Sequence, residues 1–193
     1  MFTNRGRQSK RKYMFGICAV IFVYLLLFSR YQTYEIQEVI KNVKPVTVWE
    51  FVADFSKMKS LNPTIHEFKI LSDHGNNEDW KYTVEYIESM SGWPHWKNKI
   101  NANFHVRKVI RDRKYLYLVE SVHKSCFFSV FCLKANGEFE FTDINNGDTL
   151  VTETVKYQCP PFLGQYCRKE VEYQRKKILY NLTNHFKHHK QEK

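Results

Sequence analysis

The sequence predicts an α+β domain in which a short helix, a run of antiparallel strands and a long C-terminal helix follow one another. Three observations predict it. Val48, Phe51, Val52, Phe55 and Met58 recur at three- and four-residue steps, which places them on one face of a helix. Between Trp80 and Phe141 apolar residues alternate with polar ones, the mark of strands with one buried and one wet face. Val171, Ile178, Leu182 and Phe186 then return to helical spacing, with Leu179 at the margin. Helices at the two ends of one antiparallel sheet define an α+β layer arrangement.

Taken in order, Tyr34–Val43 fits either a first strand or a linker. Pro45 stands where a helix begins, because the first turn tolerates a missing N–H. Asn62-Pro63 ends that helix, since the residue before proline avoids the helical region. Trp80, Tyr82, Val84 and Tyr86 alternate with Lys81, Thr83 and Glu85, and Ile100, Ala102, Phe104 and Val106 alternate with Asn101, Asn103 and His105. SGWPHW, Ser91–Trp96, lies between strands: as a loop it would expose Trp93 and Trp96, and packing over one end of the sheet fits equally well. Tyr115–Val122 is apolar on both faces, so its orientation is open. Phe139 and Phe141 alternate with Glu138 and Glu140, and the 145–148 stretch NNGD is a turn signal leading into the strand Leu150–Tyr157. The last helix is expected over Arg168–Lys187.

Ahead of the domain, Tyr13–Phe28 reads YMFGICAVIFVYLLLF, an uncharged run bounded by Arg11-Lys12 and Arg30. It is short of the roughly 17–25 residues of a bilayer span, although Ser29 and its neighbours extend it. Only Ser29 offers a small residue for signal cleavage, so residues 13–29 are expected as an uncleaved transmembrane signal anchor. Five basic residues precede the run, and the positive-inside rule puts residues 1–12 in the cytosol and the domain, 30–187, in the lumen, with 188–193 as a tail. Arg5-Gly6-Arg7 resembles the arginine-based retention signals of endoplasmic-reticulum membrane proteins, so that membrane is the expected location.

Cysteine usage agrees with a lumenal domain. Apart from Cys18 in the apolar run, four cysteines remain, and an even number in an oxidising compartment permits two disulfides. The local spacings favour Cys126–Cys132 and Cys159–Cys167 among the three connectivities. No CxxC pair supports zinc. Asn181-Leu182-Thr183 is a glycosylation sequon, reachable only from the lumen.

The net charge of +10 falls to +5 once the five basic residues of the first twelve are set aside. The aromatics alternate along strands instead of flanking a basic stripe, which argues against nucleic acid as a partner. Anionic lipid headgroups are the better match for these charges, so membrane lipids are the expected partners.

PVTVWEFVADFSKMKSLNP, followed by these strands and the final helix, resembles the START-like or SRPBCC superfamily, whose members have the helix-grip fold. Pro45, Val48, Trp49, Phe51, Val52, Asp54, Phe55, Asn62 and Pro63 carry the resemblance. It implies a curved sheet wrapped around the C-terminal helix with an elongated cavity between them, and a domain that holds or moves an apolar ligand such as a lipid or sterol. Carried onto this chain, the walls would be Trp80, Tyr82, Val84, Phe104, Val106, Phe139 and Phe141, with Ile178 and Leu182 from the helix. Some members are cyclases or hydrolases, so an enzyme acting on a lipid-like substrate is the alternative. A non-catalytic adaptor with a filled core is another.

No GxSxG, HExxH, P-loop or GxGxxG occurs, and no cofactor is implied. Glu120 and His123 form the one pair worth inspecting for acid–base work. Neither His105 nor His188-His189 has partners at ligand spacing, so no metal is expected.

Overall fold

The computed structural model describes residues 4–27, 29–111, 114–127, 131–144 and 147–188. Residues 145 and 146 of the expected turn, and the tail beyond residue 188, lie outside the described residues.

A helix, α1 (Asn4–Leu27), leads into β1 (Arg30–Ile40). Two short helices follow, α2 (Pro45–Ala53) and α3 (Phe55–Leu61), and then six strands: β2 (Ile65–Gly75), β3 (Asp79–Met90), β4 (Trp93–Arg111), β5 (Lys114–Phe127), β6 (Phe131–Ile144) and β7 (Asp148–Cys159). A 3-10 turn, Pro161–Leu163, leads into the long helix α4 (Gly164–His188). The seven strands form one sheet in the order β1-β7-β6-β5-β4-β3-β2, and each neighbouring pair is antiparallel. The α+β order read from the sequence is therefore the observed one.

Three details go beyond the sequence reading. Tyr34–Val43 is mostly strand: β1 pairs with β7 from Arg30↔Cys159 to Ile40↔Thr149, so the first strand closes beside the last. The opening helix is two helices, because Asp54 leaves the helical region and its carboxylate accepts from Ser56 N–H at 2.9 Å, capping α3. Trp93 and Trp96 belong to the start of β4 and not to a loop, and they remain 62% and 39% exposed.

Residues 13–27 of the apolar run lie in α1, and among the described residues no helix is long and apolar enough to cross a membrane.

The core lies where α2, α3 and the C-terminal half of α4 meet the inner face of the sheet. Val48, Trp49, Val52 and Phe55 pack there with Val84, Phe104, Phe141, Val151, Ile178 and Leu182, all buried. Trp49 is fixed by its indole N–H, which donates to the Leu118 carbonyl at 2.9 Å, so its polar atom is satisfied inside. In β5, Leu116 and Leu118 are buried as well as Val119, which accounts for the lack of alternation in that segment.

Candidate functional site

The same inner face is hollow towards the other end of the sheet. A cavity of about 480 Å³ lies between β3–β7 and the N-terminal half of α4, within the size range of small-molecule sites. Its apolar wall includes Ile100, Leu133, Ala135, Val155, Tyr157 and Val171, and Pro160, Leu163 and Tyr166 lie at the α4 end. The hollow has a local cause. Cross-strand pairing sets Ser121 beside Gly137 and His123 beside Ala135, so small residues occupy the middle of the inward face. Two and four residues after Gly137, the same row carries Phe139 and Phe141, which fill the closed core. Gly137 has no room for a side chain, since a Cβ there would stand 2.7 Å from Ser121 Oγ.

The residues expected to form the walls lie on the expected face but further along it. Tyr82, Val84, Phe104, Val106, Phe139, Phe141, Ile178 and Leu182 are all buried in the closed core, and Trp80 packs against it. Tyr82 and Phe104 stack at 4.8 Å, Phe55 packs edge-on against Phe104 at 5.5 Å, and the Tyr82 hydroxyl donates to the Ala53 carbonyl at 2.7 Å. None of the nine is among the residues lining the inner cavity. The correction follows from α2 and α3, whose side chains fill the space behind those strands.

Both expected disulfides are present, Cys126–Cys132 and Cys159–Cys167. The second ties the end of β7 to the first turn of α4, and Cys167 lines the cavity. Asn181 Nδ2, the atom a glycan on the expected sequon would occupy, donates to the Leu61 carbonyl at 2.8 Å. The folded domain therefore uses that amide to join α4 to α3.

A polar cluster interrupts the apolar wall. Arg175 of α4 donates through Nη1 to Glu153 Oε1 at 2.7 Å; Glu153 is fully buried, while a fifth of the arginine side chain, 20%, stays accessible. Burial opposes the charge on Arg175, but Glu153, with Glu88 and Tyr86 adding to it, holds the guanidinium above its ordinary value. Glu88 accepts from Thr64 Oγ1 at 2.7 Å and Asn62 Nδ2 at 3.0 Å, and its burial pushes the carboxyl up. Burial, and then the nearby Glu88, push the Tyr86 phenol well up, so it stays protonated. Its hydroxyl lies 3.0 Å from His123 Nδ1.

No protein-family model matches the chain, and no curated protein matches it significantly. Solved structures do resemble it. The Zhui aromatase/cyclase from Streptomyces sp. R1128 is similar at a TM-score of 0.59 with 12% identity, over 82% of this chain and 94% of that one. A START superfamily protein from Mycobacterium smegmatis gives 0.50 with 13% identity, over 82% and 97%. Norcoclaurine synthase from Thalictrum flavum gives 0.53 with 8% identity, over 84% and 90%. The fold is START-like. At these identities the likeness establishes the helix-grip architecture and not the chemistry.

Within this START-like domain Glu120 and His123 do not form a pair. They are three residues apart on β5, so the strand alternation sends them to opposite faces. Glu120 lines a polar concavity of about 670 Å³ on the outer face, where Arg107 grips it through Nε at 2.7 Å and Nη2 at 2.9 Å. His123 lines the inner cavity. Among the described residues no group of three or more His, Cys, Asp or Glu side chains is placed to hold a metal ion.

His123 gives the domain a defined acid response. Burial first, and then the Arg175 charge, lower its pKa to about 3. An unfolded histidine takes up a proton near pH 6.5, whereas the folded one declines it until near pH 3, so stability falls as pH drops through that window. By pH 5 this amounts to about 2 kcal/mol. Urea unfolding of His123→Gln at pH 7.5 and pH 5 is expected to show that much less acid sensitivity than the wild type. An unchanged pH slope would mean that the ring is not buried in neutral form.

The polar cluster was missed at the level of sequence, though both signals were there. Glu153 shares strand parity with Val151, Val155 and Tyr157, which face inward, and Arg175 falls on the helix face of Val171, Ile178 and Leu182.

Proposed function

We propose that this domain binds an apolar small molecule in the cavity between β3–β7 and α4, and that α1 holds it at a membrane with which that ligand is exchanged. The observation that carries the reading is the cavity itself, largely apolar and lined by small side chains on the sheet. Removing apolar ligand surface from water there is worth about 25 cal/mol per Å². The contacts assigned to ligand are Tyr86, Ile100, Ala135, Val155, Tyr157 and Val171.

Two features support the membrane part. In α1 the side chains of Tyr13, Phe15, Ile17, Val20 and Phe22 are all more than half exposed, an apolar surface suited to lipid. Phe22 packs on Phe162 at 5.9 Å, next to Leu163 of the cavity lining, and Trp93 packs at 6.2 Å on Tyr166, which lines it too. The apolar helix and the exposed tryptophan thus flank the same end of the hollow, and tryptophan favours the membrane interface. The basic residues preceding α1's apolar run support a cytosolic N-terminus and a lumenal domain in the endoplasmic reticulum.

Native mass spectrometry of the full chain, purified from a eukaryotic secretory host, tests the proposal. A bound mass removed by delipidation is expected, with the full chain retained in membranes after alkaline extraction. A protein that is consistently empty would overturn the ligand reading, and release by alkali would overturn the anchor.

A further inference from the structure

On the outer face of the sheet, charge is separated along the strands. Lys124 of β5 and Lys134 of β6 stand directly opposite each other. Lys134 lies one residue beyond the Ala135↔Tyr157 pair, beside Gln158 of β7, whose side-chain oxygen accepts from the Lys134 backbone N–H at 2.9 Å. Gln158 in turn pairs with Tyr31 of β1, so this row is one residue from Arg30, where the chain enters the sheet from α1. Lys156 shares the outer face two residues further in, with its Nζ over the exposed Tyr31 ring at 5.3 Å.

All three lysines are exposed, and none forms an ion pair among the described residues. Like charges directly opposite each other destabilise an antiparallel pair, so Lys124 and Lys134 hold an arrangement that an anion relieves. Four residues along the same strands, away from α1, the sign changes. Glu120 and Glu138 face each other there, and that pair has a counter-ion, Arg107, at 2.7 Å from Glu120. The unmatched cations thus lie at the end of the domain that α1 and Trp93 flank, and Lys134 also borders the cavity.

From this geometry we infer that Lys124, Lys134 and Lys156 form a second membrane contact, in which anionic lipid headgroups supply the missing counter-ions and hold the cavity end of the domain against the bilayer. A lysine near an anionic surface gains about fivefold in affinity, and the exposed Tyr31 ring in the same row suits the headgroup layer. The inference rests on α1 holding the domain at a membrane, as proposed above.

Amine footprinting of the full chain tests it. The chain is reconstituted in nanodiscs of phosphatidylcholine alone, or of phosphatidylcholine and phosphatidylserine at about 7:3, and lysine acetylation is read by peptide mass spectrometry. In the serine-lipid discs, acetylation of Lys124, Lys134 and Lys156 is expected to slow by about fivefold. Lys81, in the outer-face row of His105 and Glu120, is expected to react alike in both discs. Salt at about 1 M, where the screening length is about 3 Å, is expected to restore the faster rate. Lys124→Gln combined with Lys134→Gln is expected to free Lys156 from protection. Because it removes a like-charge pair, it is expected not to lower the melting temperature. Equal labelling in the two discs would overturn the headgroup contact while α1 still holds the chain in them. Protection by soluble glycerophosphoserine in neutral discs would make the cluster a small-anion site and overturn the surface contact as well. A chain that enters neither disc would overturn the membrane reading together with this inference.

Discussion

Replacing Ala135 with tryptophan is expected to empty the cavity of ligand while the domain stays folded. Ala135 stands on the inner face of β6 between His123 and Tyr157, where the wall is hollow because the side chain is small. An indole there enters the space of about 480 Å³ and does not collide with a packed core, so the usual cost of overpacking does not apply. If it denies the ligand ~100 Å² of contact, affinity falls by ~2.5 kcal/mol, or roughly seventyfold. The check is the bound mass in native spectra together with the melting temperature. Loss of ligand with an unchanged or raised melting temperature is the expected result. Full retention of ligand would place the binding site elsewhere.

Arg175→Leu is expected to destabilise the domain strongly. It leaves Glu153, with no exposed surface, without its cation at 2.7 Å, and breaking a buried pair in this way costs roughly 3–5 kcal/mol. Arg175→Leu combined with Glu153→Leu is expected to recover most of that loss, because the charge that needed a partner is gone. The single variant carries a pH signature. Burial already pushes the Glu153 carboxyl up against the pull of Arg175, and without the arginine it rises further. A folded pKa above the unfolded value gives stability at low pH that is lost as pH rises, so the deficit of Arg175→Leu shrinks on acidification. Urea unfolding at pH 5 and pH 7.5 reads both effects. A loss under 1 kcal/mol, or one independent of pH, would mean that Glu153 is solvated or neutral in the wild type.

Much of the architecture was legible in the sequence because its signals are local. Period-two alternation at Tyr82, Val84 and Tyr86 and at Ala102, Phe104 and Val106 placed these side chains on the inward face, where they are found. The disulfide loops followed from short spacings, which limit what a cysteine can reach. Local signals failed where a neighbour decides. Asp54 split one amphipathic helix into two through a cap that leaves the hydrophobic spacing untouched. The doubly apolar segment of β5 left open which face is inward, although the three-residue spacing of Glu120 and His123 already sends them to opposite faces of a strand.

By itself, then, the sequence determined the order of helix, antiparallel strands and final helix and the inward face of the strands that alternate, and it favoured the observed pairing of the cysteines, because backbone periodicity and short chain distances govern these. Only the tertiary structure decided which part of that face is hollow. The rows holding Tyr82, Phe104 and Phe141 look as suited to a ligand as those holding Ala135, Val155 and Tyr157, but α2 and α3 pack against the first set and not the second. The Arg175–Glu153 pair likewise joins residues on α4 and β7 that no sequence spacing links, and packing of the helix on the sheet brings them together. A cavity is the volume that distant elements leave unfilled, so it is a property of their meeting and not of any one of them.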